Sequence, residues 1–83
     1  MRDRRLKIVD AAKDESFEKK FSVDTAMWEI KLVASQRLNL SDRVFSLISS
    51  QGTRLDLDEN VLVINSSLKD GDTIYINLQD LSP

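Results

Sequence analysis

Only one stretch of this chain carries a helical period. From Met27 to Leu38 no Gly or Pro intervenes, and Met27, Ile30, Ala34 and Leu38 recur at helical spacing. They align along one side of an α-helix about three and a half turns long. Trp28 and Leu32, four residues apart, lie on a neighbouring flank. The other apolar segments alternate with polar residues, the period of half-buried strands. One helix can cover one face of one sheet. A chain of 83 residues with this pattern is therefore bounded to a two-layer α+β design whose second sheet face meets water.

In the first strand, Leu6–Asp10, Leu6 and Ile8 alternate with Lys7. In the second, Phe17–Val23, the residues Phe17, Lys19, Phe21 and Val23 share a face. The polar run between them predicts an antiparallel hairpin, without the Asn-Gly or Asp-Gly that would identify its turn. Lys19 is the discordant residue, with a stem long enough to reach the sheet edge. Asp24 or Thr25 is expected to N-cap the helix. Asn39 and Ser41-Asp42 end it, with Leu40 as an anchor. A third strand, Val44–Ile48, turns Phe45 and Leu47 one way and Val44, Ser46 and Ile48 the other. Gly52 supplies a positive φ to the following turn if one is required. Arg54–Leu57 is expected as a short edge strand, and Val61–Ile64 as a compact buried turn or a single 3₁₀ turn. Lys69-Asp70-Gly71-Asp72 is the clearest turn, followed by a last strand, Thr73–Leu78, and a tail.

Composition removes most catalytic chemistry. The chain has no Cys and no His, hence no thiolate nucleophile, disulfide framework, zinc ribbon, imidazole base or Ser-His-Asp triad. Neither a cofactor nor a metal is expected: Asp56, Asp58 and Glu59 lack EF-hand spacing and read as a solvated turn. A sequence pI near 5.0 gives no general pull toward nucleic acid. No apolar run approaches the roughly 18 residues of a membrane span, and no signal core follows the basic Met1-Arg2-Asp3-Arg4-Arg5. The expectation is one monomeric domain over residues 1–83, core about 5–79, in the cytoplasm or nucleus.

Taken together, this element order and these residues resemble the ubiquitin-like β-grasp family over roughly residues 5–79. The telling parts are the helix opening Asp24-Thr25-Ala26-Met27-Trp28-Glu29-Ile30 after a hairpin, and the closing phrase Leu68-Lys69-Asp70-Gly71-Asp72-Thr73-Ile74-Tyr75-Ile76. The resemblance implies a mixed sheet of four to five strands, with the first and last paired in parallel at its centre. It also implies protein binding rather than catalysis. No Gly-Gly follows the last strand, so a built-in domain of a longer protein is expected, rather than a conjugated tag or a sulfur carrier.

By the same resemblance, partners dock on the outward face of the third and last strands. The matching positions are Ile48, Tyr75 and Asn77, with the hairpin-loop position near Ala12; beside them the charged residues Arg43 and Arg54 are expected to set selectivity. Asn77 stands where an aliphatic residue is common, which thins the patch. The plain alternative is that Ile48 is a lone exposed apolar residue. Trp28 and Leu32 form a second candidate, against which Trp28 is read as covering the hairpin end or the core rim. A third is basic: Lys7, Lys19 and Lys20, with Arg2, Arg4 and Arg5, resemble the edge by which Ras-association domains meet a small GTPase. Against it stand a charged edge that resists strand addition and a frayed arginine tail. The expected partner is a ubiquitin-pathway receptor or segregase, alternatively a small GTPase.

Overall fold

The computed structural model describes residues 2–79, so the part of the expected tail from residue 80 onward lies outside the described residues. Strands β1 (Asp3–Asp10) and β2 (Glu15–Ser22) form a hairpin. Helix α1 (Met27–Arg37), β3 (Phe45–Ser49), a 3₁₀ turn (Val63–Asn65) and β4 (Thr73–Leu78) follow. The four strands are ordered β2-β1-β4-β3. β1 runs antiparallel to β2 and parallel to β4, and β3 runs antiparallel to β4. The first and last strands thus lie together at the centre, as the β-grasp resemblance implies.

Even-numbered positions of β1 and β4 turn toward the helix. Leu6, Ile8, Ile74 and Ile76 are buried there against Met27, Ile30, Ala34 and Leu38, with Leu47, Leu40 and Leu68 closing the layer. Each such side chain contributes about 1.5–3 kcal/mol by leaving water. Two arginines expected in a frayed tail belong to β1 instead. The Arg4 guanidinium donates to the carbonyls of Val63 and Leu68, and the Arg5 N–H donates to the Asp70 carboxylate at 2.7 Å. The turn that places Asp70 there has Gly71 at φ +89°, a conformation that favours glycine.

The helix ends differ in how they are satisfied. Its N-cap is Ala26, not Asp24 or Thr25. The N–H groups of Met27 and Trp28 donate at 3.0 Å to the carbonyls of Val61 and Glu59, and Glu29 Oε1 accepts from the Ala26 N–H at 3.1 Å. Loop carbonyls thereby do the work of a capping side chain. At the C-terminus Asn39 takes φ +57° and the N–H of buried Leu40 returns to the Ser35 carbonyl at 2.8 Å, a Schellman arrangement. Lys13 Nζ adds a cation there, 3.0 Å from the Leu38 carbonyl.

The expected edge strand at Arg54–Leu57 does not form; only an isolated bridge between Ile48 and Arg54 remains. The reason is Asp56, expected on a solvated turn but only 2% exposed. The Leu55 N–H reaches the Leu47 carbonyl at 2.8 Å, but the Leu47 N–H donates to Asp56 Oδ1 at 3.1 Å. A side chain takes the place of a strand carbonyl, and the ladder stops. Arg54 Nε meets the same oxygen at 3.1 Å and Lys31 Nζ meets Oδ2 at 2.9 Å. Burial pushes this carboxyl's pKa up, but hydrogen bonds from Lys31, Leu47 and Arg54 outweigh it and hold it below 3.8.

A carboxyl depressed on folding stabilises the fold above its unfolded pKa, and that stability is lost as pH falls through the folded value. Asp56→Asn is therefore expected to cost about 1–3 kcal/mol at pH 7 by urea unfolding. The gap from the parent should shrink below pH 3.8. A gap constant down to pH 2 would remove Asp56 from that role.

Candidate functional site

Odd-numbered positions of β1 and β4 face away from the helix. Register sets Val9 opposite Tyr75 across the parallel pair, and Tyr75 opposite Ile48 across the antiparallel one. Ser16 continues this row on β2 and Arg54 bridges Ile48 at the other end. Cross-strand neighbours on one face have Cβ atoms about 4.5–5.5 Å apart. Val9, Tyr75 and Ile48 therefore form one apolar strip. Tyr75 is 41% exposed; Val9 and Ile48 are half-buried. The flanking rows are polar: Glu18, Lys7 and Thr73 on one side, Asn77 and Ser46 on the other.

Of the sequence-derived positions, the register brings Ile48, Tyr75, Asn77 and Arg54 together on this face. Arg43 lies before β3, at the opposite end of that strand from Ile48, and is exposed. Arg54 is held by Asp56, so its guanidinium serves the fold as well as the strip. The position nearest Tyr75 on the hairpin is Val9 rather than Ala12. Val9 escaped the sequence reading although the alternation of Leu6 and Ile8 already placed it on the Lys7 face. Asp56 had a weaker signal, an Arg and an Asp two apart on one side of an extended segment.

The basic candidates do not gather. Lys7 and Lys20 belong to the outward face, whereas Lys19 sits opposite Leu6 on the helix side, its Nζ 5.6 Å from the Phe21 ring centroid. That stacking explains how a lysine occupies an apolar face. Beside the edge, Lys19, Lys20, Phe21 and Val33 line a groove of about 230 Å³ between β2 and α1.

Trp28 does not cover the core rim. It is 48% exposed, and Leu32 is 51% exposed, on the side of α1 turned away from the sheet. The core is filled without an indole: Met27 and Ile30 are fully buried. The only tryptophan should thus be open to acrylamide in the folded state, and Trp28→Ala should cost about 1–2 kcal/mol, against about 2–5 for Ile30→Ala. Emission shielded from the quencher, or equal costs in urea unfolding, would contradict this placement.

No protein-family model and no curated protein sequence matches the chain. Solved structures do. The N-terminal ubiquitin-like domain in the 4931431F19Rik protein superposes with a TM-score of 0.75 at 19% identity, covering 99% of this chain and 80% of that one. The C-terminal ubiquitin-like domain of mouse tubulin-specific chaperone e superposes at 0.69 with 20% identity, covering 98% and 91%. At such identities the likeness speaks for the fold. In element order, sheet pairing and the seat of its helix, the chain has the ubiquitin-like β-grasp fold.

Proposed function

We propose that this domain is a non-catalytic docking module, working in the cytoplasm or nucleus, that binds a protein partner through its outward sheet face. The observation that carries this reading is the register: Val9, Tyr75 and Ile48 stand side by side across three strands, with polar rows on both flanks. Burying such a strip at about 25 cal/mol per Å² supplies a few kcal/mol, enough for a weak reversible contact. The tyrosine ring offers an apolar body with a polar tip, which suits a surface that is wet when unbound. Arg54 beside Ile48 biases the choice toward partners with an acidic rim. A ubiquitin-pathway receptor or a segregase is the partner class to try first.

A second reading, docking of a small GTPase, draws on the uncovered β2 edge and the groove beside it. The split of Lys19 from Lys7 and Lys20 weakens it.

Titration of the ¹⁵N-labelled domain with ubiquitin-receptor helices, segregase amino-terminal domains and a small GTPase carrying a GTP analogue separates the two. The proposal expects shifts centred on Val9, Ile48 and Tyr75, and loss of binding in a folded Ile48→Asp variant. Undiminished binding by that variant would overturn it. Shifts confined to β2, abolished by joint charge reversal of Lys19 and Lys20 and seen only with the GTPase, would establish the second reading.

A further inference from the structure

The two edges of this sheet are treated differently. Beyond β3, the chain's own Thr53–Asp56 segment occupies the edge: Ser49 N–H donates to the Thr53 carbonyl at 2.8 Å, and Asp56 takes the Leu47 N–H. Among the described residues no strand follows beyond β2 in the order β2-β1-β4-β3. The Val23 N–H donates to the Arg2 carbonyl at 3.2 Å, which extends the β1·β2 register and identifies the odd positions of β2 as those bonded to β1. In an antiparallel pair such positions alternate. Ser16, Glu18 and Lys20 therefore direct their backbone N–H and C=O groups outward, and Ser22 its N–H, its carbonyl accepting from the Thr25 N–H at 3.0 Å.

We infer that this edge is a self-pairing surface, on which two copies of the chain join β2 to β2, antiparallel, about a two-fold axis at Lys19. The segment Ser16-Phe17-Glu18-Lys19-Lys20-Phe21-Ser22 reads the same from either end except at Glu18 and Lys20, where the charge inverts. With Lys19 at the axis, every outward-bonding residue meets another: Ser16 faces Ser22 and Glu18 faces Lys20, each pair occurring twice. Opposed residues share parity, so the faces of the two sheets stay continuous. Phe17 then meets Phe21 on the helix side, and Glu18 meets Lys20 on the outward side. An isologous contact of this kind closes at two copies.

Charge also selects the register. A shift by two residues in either direction sets Glu18 against Glu18 or Lys20 against Lys20, and like charges directly opposite are destabilising. Lysines on an edge ordinarily prevent strand addition, but here Glu18 neutralises that protection for one partner, another copy of the same strand. The remaining like-charge pair is Lys19 with Lys19. Its ammonium already lies over the Phe21 ring, which draws the two charges apart along the edge. Seven residues of edge make a small contact, of the weak and reversible class.

The test uses the whole 83-residue chain in sedimentation velocity and amide exchange. Between about 10 μM and 1 mM, the average mass should climb from 9.5 kDa toward twice that value. Over the same range, amides of Ser16, Glu18, Lys20 and Ser22 should become protected while those of Phe17, Lys19 and Phe21 do not change. Glu18→Lys and Lys20→Glu should each weaken association roughly tenfold, since each sets like charges opposite at two places. The double variant, with its net charge unaltered, should restore it. A monomer mass throughout, association that protects other amides, or a double variant no better than the singles would overturn the inference.

Discussion

Everything in this molecule hangs on a single layer of aliphatic side chains between one helix and one side of a sheet. Leu6 and Ile8 from the first strand and Ile74 and Ile76 from the last supply its floor, and Met27, Ile30 and Ala34 its roof. The two central strands meet in parallel, so the start and the end of the described chain are joined beneath the helix. A domain of this size has little apolar surface to spare, and each member of the layer is worth about 1.5–3 kcal/mol. Among the described residues no second helix covers the opposite sheet face, where a strip of Val9, Tyr75 and Ile48 stands among polar rows.

The margins of the sheet follow from a second, electrostatic constraint. Asp56 is buried and answered by one backbone N–H and two cations, Leu47, Arg54 and Lys31. Removing a carboxylate from water is costly unless its lone pairs are met. Here Oδ1 accepts from the Leu47 N–H and from Arg54, and Oδ2 is ion-paired with Lys31 at 2.9 Å, which ties β3, the loop and the helix to one point. The same contact ends the ladder beside β3, covers that edge and positions Arg54 next to Ile48. Among the described residues nothing equivalent acts at β2, whose Ser16, Glu18 and Lys20 keep their outward hydrogen-bonding groups.

Much of this was legible from residue order. Alternation set Phe45 and Leu47 on one side of their strand and Ile48 on the other, because a strand's side chains change sides at every residue; that Ile48, Tyr75 and Asn77 share the outward face was implied by the family resemblance. Helical spacing named Met27, Ile30, Ala34 and Leu38 correctly, and Asn39 with Leu40 marked the helix end by local chemistry. Among the readings that failed, the helix cap and Trp28 failed for non-local reasons and the basic patch for a local one. Asp24 and Thr25 were available as caps, but carbonyls of Glu59 and Val61 arrived first. Trp28 was expected at the core rim, yet smaller side chains already filled the space. Lys19 and Lys20 read as one charged patch, although neighbours in a strand point to opposite faces.

By itself, then, the order of residues determined which segments extend, which one coils, and which side of each is apolar. Those are properties of spacing and of near-neighbour hydrogen bonding, and they need no partner segment. Only the tertiary structure decided that the first and last strands pair in parallel, that Asp56 replaces a fifth strand, and that Val9, Tyr75 and Ile48 share one row. Each of these joins residues far apart in the chain. Their meeting depends on how the layers close over the core and on which buried polar groups find partners once they do.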